Sequence, residues 1–259
     1  MSHPIKTKPM PLWMTLLCFG APAIMGVLGL YVAMPALSRA GIPLFWNYML
    51  TVVAMFPLLL VAALVGYWLE RRTLSWSGLK CRFRIRGLSQ EEWLWTAGLL
   101  IVYVGGQLLL MPTAGRLASV LPLPLPDGLP HHALDPRVAK TSVPTEFLGV
   151  GLRGNWGIAL VYLLILVLNI LGEEFWWRGY VLPRQALVHG RWTWLVHGIL
   201  WTLFHAPFWW NLVALLPSTL SVSFVASRLK NTTPAIIVHF VMNGLGYVMI
   251  LLGIVGLGR

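Results

Sequence analysis

The chain has 259 residues, of which 58% are hydrophobic and only 10% are charged, and its mean hydropathy is +0.74. A soluble domain of this length does not need so much apolar surface, so the composition excludes one and predicts an all-α, polytopic membrane helical bundle. The formal net charge of +11 would suit nucleic acid. However, the basic residues lie in short clusters between apolar runs, which is typical of membrane topology signals, so we expect no nucleic-acid partner.

Apolar runs without charged residues predict about seven transmembrane helices. Between Trp192 and Ser227 there is no charged residue, and at about 1.5 Å per residue this run is too long for one crossing. Because Pro207 would break or kink a helix there, we divide the run into a short fifth span and a sixth. The predicted spans are 11–35, 41–69, 93–115, 156–171, 192–206, 208–227 and 236–255.

The loop between the second and third spans gives the strongest indication of orientation. Short loops rich in Lys and Arg stay in the cytoplasm, so we predict a cytoplasmic position for this loop and for the basic N-terminus. Arg82, Arg84 and Arg86 alternate with Phe83 and Ile85, and we expect this stretch to lie on anionic lipid headgroups. The basic residues concerned are Lys6, Lys8, Arg71, Arg72, Lys80, Arg82, Arg84 and Arg86.

The connection 116–155 is rich in proline and carries His131, His132, Asp135 and Glu146. Two histidines beside an acid are a familiar metal-binding combination. These residues lack the helical spacing that would support such a site, so we interpret the connection as a solvated loop.

Polar residues interrupt the later apolar runs in three sets, which are Glu173 with Glu174 and Arg178, then His205, then His239 with Asn243. Charged groups at membrane depth cost about 2.5–3.5 kcal/mol each, so by default they mark a functional site. Residues four apart share one face of a helix, which lets Arg178 neutralise Glu174. Glu173 is turned about 100° from Glu174 and is expected to face a cavity.

Two simpler interpretations stand beside the functional one. The charges would also suit a cluster where a span meets the headgroups, and single histidines are often hydrogen-bonded interior residues. We keep the second interpretation for His189 and His197. The three sets taken together supply a base, orienting partners and an oxyanion donor, as water attack on an amide requires.

The motifs Glu-Glu-x3-Arg, aromatic-x3-His and His-x3-Asn, in this order, resemble those of the CPBP family. These are the CAAX-processing and bacteriocin-processing-type intramembrane proteases. The second motif usually begins with Phe, where this chain has Trp201. The resemblance covers 155–255, which we take as a catalytic core module within one multi-span domain, 1–259. Residues 1–115 would supply accessory N-terminal spans.

The resemblance implies an endopeptidase that hydrolyses a peptide bond in a membrane-associated protein or peptide. Glu173 with His205 would activate a water molecule, and His239 with Asn243 would hold the developing oxyanion. The site residues implied are Glu173, Glu174, Arg178, His205, His239 and Asn243.

The resemblance leaves the role of metal open, because family members have been described both as metalloproteases and as metal-independent proteases. His-Glu-x2-His is absent from the sequence, so the zinc site built on that motif is excluded. Zinc held by Glu173, His205 and His239 remains an alternative. We favour direct activation of water by the carboxylate.

Two alternatives to a protease are a transporter or channel and a catalytically inactive scaffold with the same fold. Transporters and channels place polar residues near mid-membrane, but transporters commonly have paired halves, which this sequence does not show. An inactive scaffold would be expected to lack a motif residue, whereas all are present. We therefore predict a protease that is integral to a prokaryotic plasma membrane and has a cytoplasmic N-terminus. Its expected partners are the lipid bilayer and the protein or peptide that it cleaves.

Overall fold

The computed structural model describes residues 7–70, 74–125, 136–137 and 142–258. Six helical stretches in these ranges are long and apolar enough to cross a membrane, which confirms the predicted all-α polytopic bundle. A short antiparallel hairpin pairs β1 (Glu146–Phe147) with β2 (Val150–Gly151). The helices are α1 Leu12–Arg39, α2 Leu44–Leu69, α3 Trp76–Arg82, α4 Gln90–Val120, α5 Trp156–Glu173, α6 Leu182–His189, α7 Thr193–Phe204, α8 Leu212–Leu229 and α9 Thr233–Ile254.

The segment from α5 to α7 is one nearly continuous helical stretch of 49 residues that turns back on itself. Gly190, with φ +52°, follows α6, and the chain then returns along α7. Gln185 contacts His197, and Trp177 contacts Phe204, as expected for antiparallel segments. With 12 residues α7 is about 18 Å long and corresponds to the short fifth span predicted at 192–206.

A 3₁₀ turn, Ala206–Asn211, separates α7 from α8 and contains Pro207, the predicted point of division. The number of membrane crossings stays a prediction, because length and composition alone give six helical stretches. Helix α4 also extends past its predicted end at Gly115, to Val120. The reason is that helix-forming residues continue until the proline-rich stretch begins.

The segments predicted to share the cytoplasmic side meet at one end of the bundle. Arg184 bonds both the Lys8 carbonyl (3.2 Å) and Glu70 (2.5 Å), and the Thr232 N–H donates to the Arg84 carbonyl (2.8 Å). The common location of these segments agrees with the distribution of basic residues. Which end of the bundle faces the cytoplasm stays a prediction.

The expectation that Arg82–Arg86 lies on lipid headgroups is wrong for its first two residues. The Arg82 side chain is only 4% exposed because it pairs with Glu70 at the end of α2. Phe83 is fully buried and packs on Phe175, with ring centroids 4.8 Å apart. Only Arg86 extends outward, with 54% of its side chain exposed. An acidic partner and an apolar gap between helices therefore draw the stretch into the bundle.

Close helix contacts fix the position of α5 and α7. Helix α5 packs against α2 and α9, and α7 packs against α8. A Cβ at Gly172 would lie 2.4 Å from the Phe56 carbonyl oxygen, and one at Gly198 would lie 3.1 Å from the Thr219 carbonyl oxygen. Because Gly172 directly precedes Glu173, this contact fixes the position of Glu173 between α2 and α9.

Large apolar side chains cover much of the outer surface, as a membrane environment requires. Exposed tryptophans occur near helix ends, which is typical of the aromatic belts at membrane interfaces. They are Trp13, Trp46, Trp68, Trp76, Trp93, Trp156 and Trp192. Of the predicted loop residues, Glu146 begins β1, whereas His131, His132 and Asp135 lie outside the described residues, as do Lys6, Arg71 and Arg72.

Candidate active site

The first motif lies where α5 changes its hydrogen bonding. Residues Glu174–Val181 form i→i+5 backbone bonds, and we call this segment the wide turn. Such segments inside α-helices occur frequently at functional sites. The sequence predicts an ordinary helix here, because residue spacing alone does not distinguish the two forms.

The predicted pairing of Glu174 with Arg178 is present. Arg178 Nη1 lies 3.2 Å from Glu174 Oε1, and both side chains are fully buried. The same carboxylate oxygen lies 2.9 Å from His239 Nδ1, from α9. Glu174 therefore holds two of the predicted site residues at once. The contact with His239 was not predicted, because the two residues are 65 positions apart.

Glu173 is also buried, with 3% of its surface exposed. Its Oε1 accepts a hydrogen bond from Asn169 Nδ2 (3.0 Å), and its Oε2 accepts one from Trp201 Nε1 (2.9 Å). Asn169 in turn accepts a bond from Asn243 Nδ2 (2.8 Å). The carboxylate is held by two neutral N–H donors, and Asn243 joins it through Asn169. The cavity expected beside Glu173 stays a prediction.

Trp201 connects the two carboxylates. Its indole N–H binds Glu173, and the Arg178 guanidinium carbon lies 3.3 Å from the ring centroid. A cation above an aromatic face is favourable, most of all for tryptophan. From the sequence, Trp201 was interpreted only as a replacement for phenylalanine. That replacement was the available indication of its role, since phenylalanine has no N–H to offer a carboxylate.

His205 follows directly after α7 and is half-buried. Its Nδ1 lies 2.8 Å from the Trp201 carbonyl oxygen. A carbonyl only accepts hydrogen bonds, so Nδ1 carries the proton and Nε2 of the neutral ring is left as an acceptor. His205 also interacts electrostatically with Glu173 and His239. The arrangement presents an unprotonated ring nitrogen in the vicinity of the buried carboxylate.

Two further residues near Glu173 were missed by the sequence analysis. Asn169 precedes Glu173 by four positions, so helical spacing could have identified it. Tyr103, on α4, interacts electrostatically with Glu173 and Arg178. No motif indicates Tyr103, which comes from the N-terminal spans.

A metal ion does not fit the residues as they are placed. Among the described residues, no three His, Cys, Asp or Glu side chains are grouped closely enough to hold one. Glu173 is bonded to Asn169 and Trp201, and His239 Nδ1 is directed at Glu174. The alternative zinc ligands Glu173, His205 and His239 therefore do not form a ligand set here. The choice between direct carboxylate activation, which we predicted, and zinc stays untested.

His197 keeps the interior role expected for it. It is fully buried, its Nδ1 contacts Gln185 Oε1, and its ring meets Phe19 edge-on at 5.2 Å. This pair lies between α6 and α7 and forms no hydrogen bond with the site residues described above.

Residues 155–245 match the model of a family described as Type II CAAX prenyl endopeptidase Rce1-like. This segment is similar to that family. The match confirms the predicted resemblance to the CPBP family of CAAX-type intramembrane peptidases, and it contains the residues of all three motifs. Neither a curated protein nor a solved structure gives a significant match.

The Rce1-like segment runs from the start of α5 to the middle of α9. Residues 1–154, which include Tyr103, are not covered by it. The division into accessory spans at 1–115 and a core module at 155–255 stays a prediction.

Proposed function

We propose that the chain is an intramembrane endopeptidase that hydrolyses a peptide bond of a membrane-associated protein or peptide, with Glu173 as the base. The observation that carries the proposal is one connected cluster of the six predicted site residues. Glu173, Arg178, His205 and His239 contact Trp201, Glu174 joins through Arg178 and His239, and Asn243 joins through Asn169. These six residues come from three separate helical segments of an Rce1-like region.

The first step is the activation of water. Each carboxylate oxygen of Glu173 has a second lone pair besides the one bound by an N–H, and His205 presents Nε2 as an acceptor. A water molecule donating to both would have its oxygen directed at a bound peptide carbonyl. As that oxygen bonds to the carbonyl carbon, Glu173 takes a proton and the carbonyl oxygen becomes an oxyanion.

The oxyanion needs hydrogen-bond donors that are already in place. Asn243 has a second N–H besides the one given to Asn169, and His239, whose Nδ1–H binds Glu174, would add a second donor with a proton on Nε2 as well. Collapse of the intermediate breaks the C–N bond, and the proton on Glu173 passes to the leaving amine.

The proposal is tested with purified protein in lipid nanodiscs and a quenched fluorescent peptide carrying a membrane anchor. We expect cleavage by the wild type and none by Glu173→Gln at equal folded content. Cleavage by Glu173→Gln at the wild-type rate would remove Glu173 from the role of base.

A second measurement separates direct carboxylate activation from metal catalysis. We expect activity to survive prolonged chelation at well under one zinc per chain, measured on the same sample. Stoichiometric zinc, with activity lost on its removal and restored on its return, would instead support a metal site.

A further inference from the structure

A buried cluster of charges lies at the end of the bundle that carries α3, away from the proposed reacting atoms. Arg82 donates to Glu70 through Nε (2.8 Å) and Nη2 (2.7 Å), and Arg184 Nη2 donates to the same carboxylate (2.5 Å). The three side chains are 4 to 10% exposed. We call Glu70, Arg82 and Arg184 the latch.

The latch is bonded directly to the wide turn. Arg82 Nη1 donates to the Gly179 carbonyl (2.7 Å). In an ordinary α-helix that carbonyl would accept from residue 183, which is a proline and has no N–H. Arg82 therefore donates to a carbonyl that the ordinary i→i+4 pattern would leave without a partner. Gly179 directly follows Arg178, so the bond is made one residue from the proposed site.

Aromatic contacts reinforce the attachment. The Tyr180 ring centroid lies 5.2 Å from the Arg82 guanidinium carbon and 4.3 Å from that of Arg184. Phe83 packs so closely on Gly179 that a Cβ there would lie 2.8 Å from its ring. The latch thus holds both the backbone and a side chain of the wide turn. It also reaches the N-terminal segment, because Arg184 bonds the backbone of Lys8 and Met10.

We propose that the latch positions Glu174 and Arg178 for the reaction by keeping the wide turn in its i→i+5 form. A wide turn is rarely stable by itself and depends on contacts from the surrounding fold. The inference rests on the proposed function, since it assigns Arg82 as a positioning residue for that site. None of the three latch side chains forms a hydrogen bond or ion pair with His205, His239 or Asn243 among the described residues.

The test uses Arg82→Gln, with Arg86→Gln as the matched control. Arg86 also binds one glutamate through two nitrogens (2.8 and 2.5 Å to Glu92), and it lies on the same loop, but it does not bond the wide turn. In Arg82→Gln the buried Glu70 keeps Arg184 as a partner, so no acid is left unpaired and the fold should survive. Arg82→Lys keeps the charge but cannot make all three bonds, and it replaces Arg82→Gln if that variant does not fold.

The turnover number and the amide exchange rate of the wide turn are expected to change together in Arg82→Gln. In the peptide assay, kcat of Arg82→Gln should fall about 10- to 100-fold, the range in which small misplacement of catalytic groups acts, while KM changes less than about twofold. Hydrogen–deuterium exchange of the amides in 174–184 should become faster. For Arg86→Gln, kcat should stay within about twofold and exchange should change only near the start of α4.

The outcomes separate this inference from the proposed function. If Glu173→Gln is inactive while Arg82→Gln keeps both the wild-type kcat and slow exchange in 174–184, the latch has no positioning role and the proposed function stands. If Arg82→Gln and Arg86→Gln lose kcat equally, the effect is one of general stability and the inference is wrong. If the wild type cleaves no peptide, unchanged exchange in Arg82→Gln would still overturn the latch, and faster exchange confined to that variant would support it.

Discussion

The two adjacent glutamates make the sharpest prediction, because the same substitution should leave stability nearly unchanged at one position and lower it strongly at the other. In Glu173→Gln the indole of Trp201 can only donate, so the new amide must turn its oxygen toward Trp201 and its nitrogen toward Asn169. Asn169 can then flip to accept, and Asn243 can flip in turn. All three hydrogen bonds survive, two of them with donor and acceptor exchanged.

The magnitude follows from this rearrangement. A bond to a charged group contributes about 1.5–3 kcal/mol and a neutral one about 0.5–1.5 kcal/mol, so two bonds lose charge assistance. This loss is offset because a neutral amide does not carry the desolvation penalty of a buried carboxylate, several kcal/mol per ion. We expect the free energy of unfolding of Glu173→Gln to lie within about 1.5 kcal/mol of the wild type.

No comparable exchange of donors and acceptors can compensate for Glu174→Gln. Glu174 and Arg178 are both fully buried, and removal of the acid leaves the guanidinium without its ion-pair partner. Breaking a buried pair in this way costs about 3–5 kcal/mol, so this variant should be far less stable. Glu91→Gln, at an exposed position on α4, is the control and should change stability by less than about 0.5 kcal/mol.

The assay is denaturation by SDS in mixed micelles, followed by circular dichroism, with cleavage measured on the same preparations. The expected result is a Glu173→Gln protein that is nearly as stable as the wild type and inactive, beside a Glu174→Gln protein that is strongly destabilised. Equal destabilisation of the two variants would refute the flipped amide network. An active Glu173→Gln would refute the assignment of the base.

Three further predictions address orientation and packing. Cysteine labelling tests the orientation in a background where the exposed Cys81 is replaced by serine. Ser77→Cys should react with an impermeant maleimide only from the cytoplasm, and Ser142→Cys only from outside. The opposite pattern would show that the predicted topology is reversed. Trp201→Phe removes the N–H bound to Glu173, so the free energy of unfolding should fall by about 1.5–3 kcal/mol while cleavage persists. Loss of cleavage by the folded variant would give the indole a catalytic role. Gly172→Ala should lower the free energy of unfolding by about 1–3 kcal/mol, because the new methyl group would meet the Phe56 carbonyl. Gly20→Ala is the control and should change stability little, since no neighbouring atom of the described residues lies within 4 Å of the new Cβ. Equal stabilities of the two variants would contradict the close packing of α2 on α5.

Several features could be predicted from the sequence because they depend on short-range spacing. The uncharged runs marked where helices cross, since a charge at membrane depth is costly wherever the helix packs. Four-residue spacing predicted the Glu174–Arg178 pair, which helix geometry alone brings together. The distribution of basic residues predicted which segments share an end of the bundle, and the contacts of Arg184 with Lys8 and Glu70 agree with it.

The remaining features depend on which helix faces meet, and no local pattern specifies that. His239 reaches Glu174 because α9 packs on α5. Trp201 reaches Glu173 because the chain reverses at Gly190 and α7 returns antiparallel. Arg82, about a hundred residues earlier in the chain, likewise reaches the wide turn and donates to the Gly179 carbonyl, which Pro183 could not serve in an ordinary α-helix. Residue spacing thus determined the helices and the motif pairs, while the tertiary structure decided which side chains hold each carboxylate, because buried polar groups take the partners that packing brings within reach.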